Sequence, residues 1–256
     1  MILPELALTR SEWEVAQKFA DSKQVLLVSG ISDDIVQDSD LLANSCRTHL
    51  GSLASPIASY DDVPVHRQDK HHRWCLDRSQ VLQYELGGQL PSTLRCWEDS
   101  HISKRGIFFA TLGGWLTFSV LICEDLARQD PIAEVLRSVA PNLVIALLMD
   151  GPQLSSRWSA RYASVLADDP GTSVLTLTSL GMCLRSRPAI GSREAPSRVV
   201  ALWKDKIYGS KEIALEPMSQ ACVLSLARKR LEEFTADGRS DGKCTEVPVF
   251  SGVFQI

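Results

Sequence analysis

The sequence predicts an α/β fold built around a parallel sheet, and two observations lead to this prediction. Strand-like and helix-like patterns alternate along 256 residues, of which 45% are hydrophobic, enough for one large core. From residue 115 to 179 the order is strand, helix, strand, helix, strand. This order implies parallel neighbouring strands joined by right-handed crossovers. In such sheets the chemistry lies at the carboxyl ends of the strands.

The composition argues against several classes of protein. The net charge is −4, the pI is about 5.8, and no dense block of Lys or Arg indicates a nucleic-acid surface. No apolar run approaches the roughly 18 residues of a membrane helix. The N-terminal MILPELALTR has no charged segment ahead of an apolar one, so it is not a signal peptide. Seven irregularly spaced cysteines without a C-x-x-C pair predict a reduced, cytoplasmic protein.

The N-terminal segment predicts a strand followed by a helix. ILPEL (2–6) is typical of the end of a buried strand, and it brings Glu5 to that end. Ser11 and Glu14 have the spacing of a capping box, which predicts a helix over 11–22.

The next segments predict strands and connecting loops. QVLLVSG (24–30) is a strand closed by glycine, and 31–62 is weakly patterned, typical of a loop with a short strand. PVHRQDKHHRW (64–74) combines extended character with many titratable groups. Gly113 and Gly114 lie between two apolar β-branched runs, which predicts a hairpin.

The second half of the chain supplies the parallel part of the sheet. Asp130 and Pro131 have the types expected for the N-cap and first residue of a helix that ends near Ala140. A further helix is expected at 155–169 and a turn or loose tail at 238–243. Apolar runs predict strands at 142–149, 172–179, 198–203 and 221–227.

The segment TFSVLICED (117–125) ends an apolar strand at Cys123. The polar turn that follows predicts a strand-to-helix elbow, which can expose a nucleophile at the edge of a sheet. A helix N-terminus and a nearby cation would lower the thiol pKa from about 8.5. Taken alone, the segment favours a structural cysteine, because buried free cysteines are common.

Glu5 and Lys70 are candidate partners for this cysteine. A carboxylate at a strand end can act as a general base with a raised pKa. A partly buried lysine can stabilise a thiolate and an oxyanion. Alone, each residue is more typical of a salt bridge or a solvated loop. His71 and His72 adjoin Lys70, but adjacent strand residues point to opposite faces, so we expect no metal site and no cofactor.

Together, the stretches P-E-L, Q-D-K-H and I-C-E-D resemble the carbon–nitrogen hydrolase (nitrilase) superfamily. The resemblance implies a nitrilase-like α-β-β-α sandwich with a Glu–Lys–Cys triad, carried here by Glu5, Lys70 and Cys123. The C-E-D-L form looks like the glutaminase domains of glutamine-dependent NAD synthetases. The resemblance covers residues 1–227, and 228–256 is expected to be a C-terminal extension or tail.

The implied activity is hydrolysis of a non-peptide carbon–nitrogen bond in a small amide or nitrile. In the mechanism that the resemblance implies, Glu5 takes the thiol proton, Cys123 attacks the carbon, and Lys70 stabilises the resulting anion. Glu5 then activates the water that releases the thioester acyl-enzyme. Glu124 and Asp125 are expected to fix the elbow and cap its helix. Members of the family commonly dimerise, so a homo-oligomer is expected.

Departures from the family pattern affect the N-terminus and one glutamate. The family begins with a strand and helix ahead of the position of Glu5, so these are expected to be missing and the chain to be one domain of a longer protein. Nitrilase-like domains fused to bacterial reverse transcriptases in phage defence suggest such an upstream partner. In the E-x-x-x-F-x-x-G stretch of the family, Gln80 occupies the glutamate position and Glu85 is offset. Asp150 follows a strand end and is expected to line the site.

These departures leave two alternatives. Because the neutral amide of Gln80 cannot act as an acid or a base, the domain could be catalytically degenerate and serve assembly or small-molecule sensing. The chain could also be an unrelated cysteine hydrolase in which a histidine reaches Cys123. The candidates for that histidine are His66, His71, His72 and His101.

Overall fold

The computed structural model describes residues 1–36, 40–51, 65–102, 105–186 and 195–256. Its strands are β1 (Leu27–Ile35), β2 (Leu42–His49), β3 (Val65–Asp69), β4 (Cys75–Leu76), β5 (Cys96–Trp97), β6 (Phe109–Leu112), β7 (Leu116–Ile122), β8 (Leu143–Leu147), β9 (Ser173–Leu177), β10 (Val199–Asp205), β11 (Gly209–Ala214), β12 (Cys222–Phe234) and β13 (Ser240–Gln255). Its α-helices are α1 (Arg10–Lys23), α2 (Arg78–Gln83), α3 (Glu134–Val139), α4 (Trp158–Asp168) and α5 (Leu180–Arg185).

The architecture is a four-layer α-β-β-α sandwich, which confirms the predicted fold class. Helix α1 covers the antiparallel sheet β1-β2-β3, and this sheet packs on the six-stranded sheet β11-β10-β9-β8-β7-β6. Side chains of β1 alternate between the two interfaces: Leu27 and Ile31 contact α1, whereas Val28 joins the core shared with the large sheet. Helices α3 and α4 contribute Leu136 and Ala163 to that core.

The parallel part of the large sheet follows the predicted order. Strand β7 pairs in parallel with β8, and β8 pairs in parallel with β9. The predicted hairpin joins β6 to β7 through Gly113 and Gly114, whose φ angles of 57° and 71° favour glycine. The carboxyl ends of β7 and β8 therefore lie side by side, and Cys123 and Met149 follow them.

The predicted start of α1 was wrong by one residue, and its predicted capping box was displaced by two. Thr9 and Glu12 form the capping box, because each side chain accepts a hydrogen bond from the other residue's backbone N–H. Ser11 and Glu14 have the same spacing, so the sequence alone did not distinguish the two pairs. The earlier start follows directly after the bridge between Leu8 and Ile31 that holds the preceding segment.

Other predicted elements differ in extent. Part of the expected loop 31–62 belongs to β1 and β2, and residues 37–39 and 52–62 of it lie outside the described part of the chain. Asp130 has φ −120° and ψ 124°, the extended backbone expected of the predicted N-cap, and a π-helical turn that ends at Ala133 leads into α3 at Glu134.

The C-terminal region is a long antiparallel hairpin formed by β12 and β13. The segment 238–243, predicted to be a turn or loose tail, contains the end of the turn and the start of β13. Residue 227 lies within β12, and the division into 1–227 and 228–256 stays a prediction. None of the helices in the described ranges is long and apolar enough to cross a membrane.

Candidate active site

Cys123 lies directly after β7 and opens the 3-10 turn Cys123–Ala127. Its φ of 45° is in the left-handed region, which costs energy for a residue with a side chain and is found at functional turns. Burial raises the pKa of the Cys123 thiol well above its usual value, the charge of Glu5 raises it further, and Lys70 opposes both effects. The thiol is therefore protonated at neutral pH and needs a base before it can attack.

Glu5 is held against β1 by two isolated bridges rather than by the continuous strand that the sequence predicted. Ile2 pairs with Val28 and Leu8 with Ile31, and the chain turns between them at Glu5. A β-carbon at Gly30 would lie 2.6 Å from the Glu5 α-carbon. The backbone of Glu5 can approach β1 this closely because position 30 is glycine.

Lys70 joins Glu5 to a second carboxylate, Glu98. Its Nζ donates to Glu5 Oε1 at 3.0 Å and to Glu98 Oε2 at 2.6 Å, and only 3% of its side chain is exposed. Burial lowers the pKa of Lys70, but the negative charges of Glu5 and Glu98, and that of Cys123 whenever it is ionised, outweigh this effect and raise the pKa overall. Lys70 is therefore an ammonium at neutral pH.

The two carboxylates have pKa values shifted in opposite directions. Burial raises the pKa of Glu5, and the Glu98 charge adds to this while Lys70 opposes it. Burial also acts to raise the pKa of Glu98, but Lys70 and the hydrogen bond from Asn44 outweigh it and lower that pKa. Two carboxylates whose pKa values are shifted apart can take different roles. Glu5 is suited to accept a proton, and Glu98 is suited to remain a fixed negative charge.

Asn44 contacts all three charged residues. Its Nδ2 donates to Glu5 Oε1 and to Glu98 Oε1, both at 2.6 Å, and its backbone carbonyl accepts from the Lys70 N–H at 2.8 Å. Sequence reasoning missed both Asn44 and Glu98. A buried asparagine within the strand pattern of β2 was the available signal for Asn44. Glu98 lies in a polar stretch after β5 and has no local signature.

Glu98, and not Gln80, supplies the second acidic group beside Lys70. Gln80 caps α2, where its Oε1 accepts from the Asp77 N–H at 3.0 Å, and it also lines the cavity next to Cys123. Glu85 follows α2 with a φ of 55° and is not among the described residues that line this cavity. The neutral residue at position 80 therefore does not leave the centre without a second carboxylate.

The two carboxylates after Cys123 have different surroundings. Glu124 forms an ion pair with Arg128 at 2.8 Å and lines the cavity. Asp125 is fully buried, accepts from the His71 N–H at 3.0 Å, and contacts His72 Nδ1 at 3.0 Å. Asp125 thus connects the elbow to the residues that follow Lys70.

The histidines of the Cys–His alternative have contacts elsewhere. His66 stacks on Phe108, and the His71 ring contacts the Gly106 carbonyl. The groups that act on the Cys123 thiol are Glu5, Lys70, Asp150 and the Met149 backbone. The alternative therefore has no supporting contact among the residues that the structure describes.

The carboxyl end of β8 supplies Met149 and Asp150. The Met149 N–H donates to Glu5 Oε2 at 2.6 Å and also lowers the pKa of the Cys123 thiol. Asp150 accepts from Tyr84 Oη at 2.5 Å, Arg157 Nη2 at 2.6 Å and Trp158 Nε1 at 2.9 Å. Both oxygens of Asp150 are therefore engaged by side chains that surround the site.

A cavity of about 240 Å³ opens next to Cys123. Its described lining combines the thiol with aromatic, apolar and polar side chains, namely Trp74, Gln80, Cys123, Glu124, Ala127, Met149, Asp150, Trp158 and Tyr162. The arrangement brings together a buried thiol, a carboxylate of raised pKa, an ammonium and space for a small molecule, which are the groups that a cysteine hydrolase would need.

Comparison with solved structures identifies the fold as that of the nitrilase superfamily. Nit3 from Saccharomyces cerevisiae, a member of branch 10 of this superfamily, is 13% identical, with 83% of this chain and 71% of Nit3 covered and a TM-score of 0.51. No family model and no curated protein sequence matches the chain.

Two structures of the amidase from Nesterenkonia sp. AN1 are also similar. A glutamate-to-glutamine mutant with acrylamide added to its active-site cysteine is 11% identical, covers 84% of this chain and 76% of its own, and has a TM-score of 0.52. A cysteine-to-alanine mutant in complex with butyramide is 10% identical, with 84% of this chain and 74% of the amidase covered and a TM-score of 0.52. At these identities the similarity establishes the fold.

Proposed function

We propose that this chain is an amidase-type hydrolase of the nitrilase superfamily that cleaves a non-peptide carbon–nitrogen bond through Glu5, Lys70 and Cys123. The observation that carries the proposal is the placement of Lys70 between two carboxylates of opposite pKa shift, close enough to Cys123 to alter the pKa of its thiol. The amidases and the nitrilase-superfamily protein with the same fold support it.

In the first half of the proposed reaction, the Cys123 sulfur bonds to the amide carbon while Glu5 accepts the thiol proton. The carbonyl electron pair moves to oxygen, where the Lys70 ammonium stabilises the negative charge. The carbon–nitrogen bond then breaks, Glu5 returns the proton to nitrogen, and ammonia leaves. A thioester on Cys123 remains.

In the second half, water attacks the thioester carbon and Glu5 takes a proton from it. The carbon–sulfur bond breaks, the carboxylic acid is released, and Glu5 returns the proton to the Cys123 sulfur. Glu98 stays ionised throughout and holds Lys70 in place. For a nitrile, the Cys123 sulfur adds to the carbon while the thiol proton passes to nitrogen through Glu5, which gives a thioimidate. Water then adds to the same carbon and ammonia leaves, which gives the same thioester, and no redox step is needed because nitrile, amide and acid share one oxidation level.

Ammonia release from small primary amides tests the proposal directly. We expect turnover by the wild type, loss of turnover in Cys123→Ala, and retention in Cys244→Ala, which changes a cysteine of the C-terminal hairpin. Hydroxylamine should intercept the thioester as a hydroxamate. Because Glu5 can accept the thiol proton as the sulfur attacks, iodoacetamide near neutral pH should label Cys123 before the other six cysteines.

A folded wild-type protein that releases no ammonia and labels all cysteines alike would contradict the proposal. It would instead favour the degenerate domain for assembly or small-molecule sensing. That hypothesis was motivated by Gln80, and the contact between Glu98 and Lys70 weakens the motivation. Homo-oligomerisation, a cytoplasmic location and a linked upstream reverse-transcriptase domain stay predictions.

A further inference from the structure

Three aromatic side chains line the cavity beside Cys123, namely Trp74, Trp158 and Tyr162. We call them the aromatic wall. Ala127 and Met149 add apolar surface to it. A wall of this kind favours a ligand whose own surface is apolar, because burial of apolar area is the main source of affinity in small pockets.

Contacts with neighbouring groups fix the aromatic wall in place. Trp158 Nε1 donates to Asp150, and its ring packs edge-on against Tyr162 with centroids 6.2 Å apart. The Trp74 N–H donates to Glu98 Oε2 at 3.0 Å, and its ring packs edge-on against Tyr84 at 5.9 Å. Trp74 is thus attached to the same carboxylate that holds Lys70, so the wall is preorganised relative to the catalytic centre.

The charged groups of the cavity offer no cation to a negatively charged substrate. Asp150 already accepts from three side chains, and Glu124 is paired with Arg128. No Lys or Arg is among the described residues that line the cavity. A substrate carboxylate would therefore lose its hydration beside two carboxylates and gain no cation, which is costly.

The size of the cavity limits the group that fits. Its volume is about 240 Å³, and an engineered apolar cavity of roughly 150 Å³ binds benzene. A phenyl or a branched alkyl group on a short linker, together with the carboxamide, matches this space.

We infer that the substrates of this site are small amides with an aromatic or branched aliphatic acyl group, and that amides bearing a carboxylate are excluded. This inference rests on the proposed amidase function. It separates the chain from the glutaminase domains that its C-E-D-L stretch resembles, because glutamine carries a carboxylate for which the described lining holds no cation.

The test uses four propanamides that differ only in the group on the terminal carbon: phenyl, tert-butyl, trimethylammonium or carboxylate. The tert-butyl and trimethylammonium groups have the same shape and differ in charge. We expect kcat/KM, measured from ammonia release, to be at least about tenfold higher for the two neutral amides than for the carboxylate. The trimethylammonium amide should lose less than the carboxylate, because aromatic rings attract a cation. A carboxylate amide that reacts as well as the neutral ones, or a trimethylammonium amide that reacts no better than the carboxylate, would overturn the inference.

A binding measurement separates this inference from the proposed function. If no amide is hydrolysed, titration calorimetry of the same four compounds with wild type and Cys123→Ala decides the matter. Tighter binding of the two neutral amides than of the carboxylate amide would support the inferred ligand class even though the hydrolytic function fails. Equal affinities, or no binding of any of the four, would contradict the substrate class as well.

Trp74→Leu tests the aromatic wall itself, because it removes the ring and keeps the backbone N–H that bonds Glu98. We expect the ratio of kcat/KM for the phenyl amide over acetamide to fall about tenfold. Phe254→Leu, at an exposed position of β13, is the matched control and should leave the ratio unchanged. An unchanged ratio in Trp74→Leu would remove Trp74 from the substrate site.

Discussion

Two buried charged clusters flank the cavity, and they differ in charge balance. In the cluster that we propose to be catalytic, formed by Glu5, Lys70 and Glu98, one ammonium serves two carboxylates. In the supporting cluster, Asp150 has one guanidinium to itself, that of Arg157, besides two neutral donors. Burial raises the pKa of Glu5, and the unbalanced charge of Glu98 adds to this effect while Lys70 opposes it, so Glu5 is suited to accept a proton. The balanced cluster can position side chains without taking part in proton transfer.

Removing each cation in turn gives the largest expected effects. Lys70→Met leaves two buried carboxylates unpaired and removes the group that stabilises the oxyanion, so turnover should fall by at least about 10³-fold. Arg157→Met leaves Asp150 buried without its cation. Both variants should lose about 3 kcal/mol of unfolding free energy, because an uncompensated buried charge is costly.

Denaturant unfolding and ammonia release, measured on the two variants side by side, check this. The comparison predicts similar losses of stability and a much greater loss of turnover in Lys70→Met. Equal losses of turnover would mean that the supporting cluster also takes part in catalysis, and that the two clusters do not differ in role.

Glu98→Gln tests whether the second carboxylate sets the pKa of Glu5. The charge of Glu98 raises the pKa of Glu5, so its removal should lower that pKa. Glu5 must be ionised to act as a base, and activity therefore rises as the pH rises through its pKa. We expect the acid limb of kcat/KM to move to lower pH, with turnover reduced about 10²-fold because Lys70 loses a partner.

The pH dependence of kcat/KM for wild type and Glu98→Gln gives the measurement. Because Glu5, Glu98 and Cys123 titrate as a coupled group, the comparison uses the shift of the limb rather than an assignment to one residue. An acid limb that stays in place, or moves to higher pH, would show that Glu98 does not raise the pKa of Glu5.

Asn44→Ala should move the same limb in the opposite direction. The hydrogen bond from Asn44 lowers the pKa of Glu5, so its loss should raise that pKa and shift the acid limb to higher pH. Turnover above the limb should fall about tenfold, since two carboxylates lose a neutral donor. A purely structural role for Asn44 would reduce turnover at every pH and leave the limb where it is.

The sequence predicted those parts of the molecule that depend on local pattern. The apolar runs ending at Ile122 and Met149 predict parallel strands, and hence the elbow at Cys123. Glu98 was missed because its role comes from a contact with Lys70 that no neighbouring residue signals. Motif spacing placed Gln80 at the position of the family's second glutamate. In the fold, the carboxylate that contacts Lys70 is that of Glu98, from the segment after β5. The sequence therefore predicted which residues lie near strand ends. It did not predict the contacts between residues of distant segments.

Tyr84→Phe makes the smallest expected change and tests the balanced cluster alone. The Tyr84 hydroxyl donates to Asp150 and accepts from the Gly151 N–H at 3.3 Å, so its removal leaves Arg157 and Trp158 in place on the carboxylate. We expect a loss of about 1 kcal/mol of unfolding free energy, typical of one hydrogen bond. The acid limb of kcat/KM should not move, because Asp150 keeps its cation and Glu5 keeps its neighbours. A shift of the limb comparable to that of Asn44→Ala would mean that the two clusters exchange charge, and that Asp150 belongs to the proton-transfer apparatus rather than to its support.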